Sequence, residues 1–155
     1  MKLLPAATND DYRGSVAAAY FLFALGVLTV VPGCIHAFLP DGGAVVIAGL
    51  DLGSSAATII GVFAWAGATQ IVHGLAMIAV AVWYRSLVPL FLFLVLVERS
   101  VMSVNWWVLK PSPGHALHTR PPEVYVTLAL LPVLVFFLVR SLAPSPAPSA
   151  SRGVA

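Results

Sequence analysis

Two adjacent residues of opposite charge, Glu98 and Arg99, lie near the middle of a long apolar run over residues 88–107. The run is long enough to cross a bilayer, and a charge at the bilayer centre costs roughly 2.5–3.5 kcal/mol. Ionisable side chains at that depth therefore need partners, and they often handle protons or orient a polar ligand. A polar network that only fixes the register of packed helices is the structural alternative.

The partner that the sequence indicates for Glu98 is His73 on the preceding helix. The connection between the two helices is short, consisting of Tyr84, Arg85 and Ser86, so the helices form an antiparallel hairpin. Counting equal numbers of residues from this connection along both helices puts Glu98 and His73 at the same depth. A carboxyl group beside an imidazole can exchange a proton with it. Helical spacing predicts two facing polar stripes: Gln70, His73 and Met77 on one helix, and Glu98, Met102 and Asn105 on the next.

These side chains form the candidate site. Glu98 and His73 are the catalytic candidates, with Glu98 as the proton donor. Arg99 projects about 100° away from Glu98 around the helix, and the sequence offers it no acidic partner at its own depth. The residues expected to bind a ligand are Gln70, His73, Glu98, Arg99, Asn105 and Trp106.

No metal or cofactor motif accompanies this site. His115 and His118 share a loop without acidic or thiol companions, so we expect no metal site there. A haem held between His36 and His73 is disfavoured, because the two residues differ in depth by roughly 15–20 Å. Cys34 is the single cysteine, which excludes an intrachain disulfide. The candidate ligand classes are a quinone and a lipid.

The composition places the site inside a membrane domain. Of the 155 residues, 60% are hydrophobic and 9% charged, whereas a soluble domain carries about 25% charged residues. The net charge of +2 gives no reason to expect nucleic-acid binding. We predict an all-α integral membrane four-helix bundle, with four transmembrane helices, over residues 15–142. The predicted spans are 15–31, 56–83, 87–109 and 123–138, between a polar N-terminal lead (1–14) and a disordered Pro/Ser/Ala tail (143–155).

Local signals predict how the helices begin and pack. Pro32 and Gly33 interrupt the first span, with helical structure resuming over residues 34–38. Asp51 and the serines at 54 and 55 are expected to cap the second span. Small residues that recur along the second span predict that it lies at the centre of the bundle: Ala57, Gly61, Ala64, Gly67, Ala68 and Gly74. The close-packing spacing is that of Ala57 with Gly61 and of Ala64 with Ala68.

The distribution of basic residues predicts the orientation. Four spans put both termini on one side together with most of the Lys and Arg residues, which indicates cytoplasmic termini in a bacterial inner membrane. The expected partners are the lipid bilayer and either another membrane protein or further copies of this chain.

A family resemblance rests on five stretches: Gly67-Ala68-Thr69-Gln70 with Gly74, Trp83-Tyr84-Arg85-Ser86-Leu87-Val88-Pro89-Leu90, Val97-Glu98-Arg99, Lys110-Pro111 and Pro121-Pro122. They resemble the DoxX-like group of small bacterial four-helix membrane proteins over about residues 15–142. The resemblance implies the fold. Some members of the group are linked to quinone-dependent respiratory or sulfur-oxidation complexes, which would imply a role beside such a complex. A looser resemblance to sterol-isomerase-like membrane proteins implies acid–base chemistry on a lipid double bond, although one acidic residue of that pattern is missing.

Taken together, the sequence predicts a small membrane protein that binds a lipid- or quinone-like ligand or serves as an accessory subunit of a membrane complex. One alternative is a lipid isomerase-like enzyme that uses Glu98 and His73. Another is an oligomer that conducts protons or a solute past Glu98. Whether the protein is an enzyme stays open at this point.

Overall fold

The computed structural model describes residues 4–110 and 122–144, and within this part the chain consists of helices and turns. Helix α1 spans Val16–Phe38, α2 spans Ala56–Trp83, α3 spans Val88–Val104 and α4 spans Pro122–Leu142. A π-helical turn, Asn105–Leu109, extends α3. The predicted all-α four-helix bundle is confirmed. Most of the tail that was expected to be disordered lies outside the described residues.

All four helices are long and apolar enough to cross a membrane. In their most apolar stretches only 22–33% of the residues are buried inside the protein, so most apolar side chains face outward. Tyr20, Trp65 and Phe136 are examples from three different helices. Apolar surface of this extent is stable against lipid and not against water, and the chain is therefore a multi-pass membrane protein.

The observed helix bounds agree with the prediction at α2 and differ at α1 and α4. Helix α1 continues through Pro32 to Phe38 and does not break near residue 31. Proline removes only one backbone donor, and in lipid the neighbouring groups have no water to replace their helical bonds. Helix α4 continues to Leu142, since Val139 and Leu142 extend its exposed apolar surface.

The predicted caps of α2 are wrong. The two serines, 54 and 55, lie in a 3₁₀ turn, Gly53–Ser55, whose backbone is not extended as an N-cap residue usually is. Ser55 makes no side-chain capping bond. The Asp51 carboxylate accepts a bond from the Gly53 N–H at 3.1 Å and so stabilises the turn before the helix.

The helices pack as two close pairs, α1 with α2 and α3 with α4. Helix α1 also contacts both α3 and α4, so α1, and not α2, is the central helix. The connection between α2 and α3 is tight, as predicted, but these two helices approach each other sparsely beyond it. The fully buried side chains of the core include Leu22, Met77, Val88, Leu92 and Leu134.

Glycines bring α1 and α2 together. A Cβ atom on Gly67 would lie 2.6 Å from both the Gly33 carbonyl oxygen and the Ala37 nitrogen. Seven residues further along, a Cβ atom on Gly74 would lie 2.7 Å from the Gly26 carbonyl oxygen. The two backbones therefore touch at two levels, as small residues allow in membranes.

This contact explains why the predicted small-residue face does not form the packing surface. Ala57, Gly61 and Ala68 are exposed, and nothing lies within 4 Å of the position of a Cβ atom on Gly61. The glycines that pack are seven residues apart and occupy a different face of α2 from the predicted one.

A capped turn joins α1 to α2 at one end of the bundle. The Asp41 carboxylate accepts bonds from the N–H groups of Val46 at 2.8 Å, Val45 at 2.9 Å and Gly43 at 3.0 Å. These bonds, that of Val46 foremost, hold the pKa of Asp41 below its usual value of 3.8. Gly42 has a φ of 62° within this turn, which a residue with a side chain rarely adopts.

At the other end, the N-terminal lead docks on the connection between α2 and α3. Thr8 N–H donates to the Trp83 carbonyl at 2.9 Å, and the Asn9 amide donates to the Val82 carbonyl at 2.8 Å. The Ser15 N–H reaches the Arg140 carbonyl at 3.1 Å. The lead thus ties the ends of α2 and α4 to the start of α1.

Candidate functional site

The predicted contact between Glu98 and His73 is present. Glu98 Oε2 lies 3.6 Å from His73 Nδ1, although the two residues belong to different helices. The two side chains are 39% and 35% exposed, respectively. The pair therefore lines the side of the bundle near mid-span, where an open face meets lipid.

A polar cavity of about 180 Å³ adjoins this pair. It lies where α2 and α3 separate, and α1 forms the rest of its wall. Because α2 and α3 contact each other sparsely, the cavity opens laterally between them as a cleft. The residues that line the cleft are Thr29, Thr69, Gln70, His73, Glu98, Arg99 and Met102.

Arg99 lacks a counter-charge, as the sequence predicted. Among the residues whose side chains the structure describes, the only ion pair is that of His73 with Glu98. The Arg99 Nη1 group donates only a long bond to Met102 Sδ at 3.9 Å, and its Nε group is buried without a partner. Gln70 Oε1 is also buried without a partner. An unsatisfied buried polar group costs about 1–3 kcal/mol, so two of the side chains that line the cleft carry an uncompensated polar atom.

Asn105 and Trp106 are not part of this cleft. Together with Lys110 they line a second cavity, of about 310 Å³, at the end of α3. Asn105 keeps helical backbone angles but lies seven residues, or roughly 10 Å, beyond Glu98 along the helix axis. The π-helical turn that begins at Asn105 rotates the side chains that follow it, including Trp106. The Asn105 amide donates to the Val101 carbonyl at 3.0 Å.

Met77, which was expected to continue the polar stripe of α2, belongs to the apolar core. It is 2% exposed and packs in the same cluster as Leu22 and Leu92. The polar face of α2 therefore ends at His73.

Two residues of the cleft, Thr29 and Thr69, were not predicted from the sequence. The Thr29 hydroxyl donates to the Leu25 carbonyl and the Thr69 hydroxyl to the Ala66 carbonyl, both at 2.8 Å. Such bonds let a hydroxyl sit in an apolar helix at little cost, so neither residue stands out in the sequence. The only feature of the sequence that could have indicated Thr69 as part of the cleft is its position beside Gln70.

His36 has a structural environment. Its Nδ1 atom lies 2.7 Å from the Gly42 carbonyl oxygen, and its ring packs edge-on against Phe63 at 5.1 Å between centroids. In the portion of the chain that the structure describes, no three His, Cys, Asp or Glu residues cluster as metal ligands would. His115 and His118 lie outside the described residues.

Comparison with protein-family models, curated proteins and solved structures finds no match to this chain. The resemblances to DoxX-like and sterol-isomerase-like proteins therefore stay predictions, and the functional argument has to proceed from the cleft itself.

Proposed function

We propose that this membrane protein binds the polar head of a lipid- or quinone-like molecule in the cleft between α2 and α3. The observation that carries the proposal is the pair of unsatisfied buried atoms, Gln70 Oε1 and Arg99 Nε, beside a polar cavity near mid-span. A network that served only to fix helix register is expected to satisfy its own buried groups. Here two of them are left for a ligand.

The dimensions of the cleft suit a head group and not a whole amphiphile. Its volume of about 180 Å³ is below the roughly 300 Å³ at which drug-sized pockets begin. The chain of the ligand would leave through the open side and lie against the exposed apolar surface of the helices. A carbonyl or hydroxyl oxygen of the head would accept from Arg99, and a hydroxyl would donate to Gln70.

The proposed setting is a bacterial inner membrane, with both termini in the cytoplasm. This orientation is supported by the basic residues on the side of the termini. In that setting the protein would serve as a binding or accessory component, either beside another membrane protein or with further copies of itself.

Native mass spectrometry of the protein extracted from its own membrane, followed by lipid analysis of the released ligand, tests the proposal. We expect a stoichiometric amphiphile on the wild type and its loss from Thr69→Trp, whose larger side chain would occupy the cavity that Thr69 lines. Gly61→Ala, an exposed change on α2 remote from the cleft, should keep the ligand. A wild type that carries no amphiphile beyond those on an unrelated membrane protein purified in parallel would contradict the proposal.

Acid–base catalysis on a bound lipid is a second candidate, and the contact of His73 with Glu98 at the edge of the cavity favours it. The 3.6 Å separation is longer than a hydrogen bond of about 2.6–3.2 Å, but such contacts can tighten when substrate binds. If the pair is catalytic, Glu98→Gln abolishes turnover while the amphiphile still binds. If the pair only binds, the same variant loses the ligand.

A further inference from the structure

We infer that the head group bound by this cleft is anionic, and that the ligand is a single-chain carboxylic acid. This inference rests on the proposed binding function and narrows it to one chemical class. It is carried by the position of Arg99, a guanidinium beside the cavity that has no acidic partner among the described residues.

The rest of the chain offers Arg99 no counter-charge. Glu98 lies against His73, and no acid whose side chain the structure describes forms an ion pair with Arg99. Four other acids lie outside α1 to α4, towards the ends of the bundle: Asp10, Asp11, Asp41 and Asp51. Glu123 is the second residue of α4. Because Tyr125 packs on Trp107, the backbone of Glu123 is displaced from Arg99 by roughly 15 Å along the helix axis. A guanidinium at this depth is costly without an anion, and a ligand is the remaining source of one.

The donors at the cavity match a carboxylate. The Arg99 guanidinium lines the cavity and can donate to one carboxylate oxygen, and charge-assisted bonds of this kind are stronger than neutral ones. Gln70 also lines the cavity, and turning its amide by half a rotation exchanges Oε1 for the NH₂ group and supplies a donor to the second oxygen.

The Glu98 carboxylate lies against His73 and not against Arg99. Glu98 Oε2 is 3.6 Å from His73 Nδ1, and no ion pair joins Glu98 to Arg99, so the Arg99 guanidinium stays available to an anion. The remaining lining residues, Thr29, Thr69, Gln70 and Met102, are uncharged.

The volume favours a carboxylate over a phospholipid head. The cavity of about 180 Å³ equals roughly six water molecules at about 30 Å³ each. That space holds a carboxylate and the first methylene groups of its chain. A phospholipid would instead have to place its glycerol esters and two chains through the same open side, whereas a fatty acid places a single chain there.

The test compares amphiphiles of matched length on the full chain in nanodiscs at pH 8, with empty nanodiscs subtracted. Radiolabelled dodecanoic acid, dodecanol and a decyl-substituted benzoquinone are the probes. We expect the wild type to bind the acid about tenfold to a hundredfold more tightly than either neutral probe. Arg99→Gln should remove this preference and Arg99→Lys should retain most of it. Arg140→Gln, which removes an exposed charge at the end of α4, should leave the preference unchanged.

The outcomes separate this inference from the function on which it rests. Equal binding of the acid and a neutral probe by the wild type would overturn the anionic head while leaving amphiphile binding in place. A preference that survives in Arg99→Gln would also overturn it. Failure of all three probes to bind above empty nanodiscs would reject the binding function as well. A thermal unfolding curve for each variant separates loss of affinity from loss of fold.

Discussion

Replacing Gly67 with alanine should separate α1 from α2 and destabilise the bundle. The added Cβ atom would lie 2.6 Å from two backbone atoms of α1, where ordinary contact begins at 3.4 Å. The helices would therefore have to move apart locally by about 0.8 Å, since backbone atoms cannot turn aside as a flexible side chain does. Overpacking of this kind costs about 1–3 kcal/mol.

The higher helix propensity of alanine relative to glycine offsets about 0.5–1 kcal/mol of this destabilisation. Taking the middle of both ranges, the expected net loss for Gly67→Ala is about 1 kcal/mol. Gly61→Ala is the matched control on the same helix, because nothing lies within 4 Å of its Cβ position. It should be neutral or more stable by up to about 1 kcal/mol.

The assay is reversible unfolding in mixed micelles with an increasing fraction of dodecyl sulfate, followed by circular dichroism. Gly67→Ala should unfold at a lower dodecyl sulfate fraction than the wild type, and Gly61→Ala should not. Equal stability of Gly67→Ala and wild type would refute the backbone contact between α1 and α2. An equal loss in both variants would show that glycine at these positions acts through something other than packing.

Three further outcomes are expected. If Glu98 and His73 act as an acid–base pair on a bound lipid, Glu98→Gln should lose turnover while its unfolding midpoint in detergent stays close to that of the wild type; an equal loss of both would indicate a structural network. The turn capped by Asp41 should loosen at acidic pH, because the N–H groups of Val46 and its neighbours hold the pKa of the folded carboxyl below 3.8. The carboxylate stabilises the turn above pH 3.8, and this stabilisation is lost as the pH falls through the folded pKa. Hydrogen exchange of the turn, corrected for intrinsic rates and compared at pH 6 and pH 3, measures the loss. Gly14→Ala should release the N-terminal lead, because the new Cβ atom would overlap the Ser141 carbonyl. Limited proteolysis should then cut the lead faster, and an unchanged rate would contradict the docking.

The centre of the cleft was predictable from the sequence because a short connection fixes relative depth. With the turn at Arg85–Leu87, equal numbers of residues outward place Glu98 beside His73, and an α-helical period then adds Gln70 to the same face. Counting residues from the connection in the same way also showed that Arg99 has no acidic residue at its own depth. These inferences needed only rise per residue and connection length, both of which are nearly constant.

The faces of the helices were harder to predict, since apolar residues in a membrane protein occupy both the interior and the lipid-facing surface. The alanines at 57 and 68 looked like a packing face and are exposed, whereas Gly67 and Gly74 make the contact. Without that contact, the contribution of Thr29 on α1 to the cleft could not be inferred.

Asn105 and Trp106 lie outside the cleft for different reasons. The face of Asn105 was predictable from the sequence but the length of the cleft was not, and the lining of the cleft on α3 ends at Met102. For Trp106, a π-helical turn changes the angle between successive side chains, and no residue type in Asn105–Leu109 indicates it.

The central claim is that the cleft between α2 and α3 holds the head of an amphiphile. Photo-crosslinking in nanodiscs with a fatty acid that carries a diazirine near its carboxyl group, mapped by peptide mass spectrometry, tests it most directly. The account predicts label concentrated on residues 69–73 and 98–102, reduced by excess unlabelled dodecanoic acid and by Arg99→Gln. Label spread evenly over the exposed residues of α4, such as Val133, Val135, Phe136 and Val139, and unaffected by competitor would contradict it.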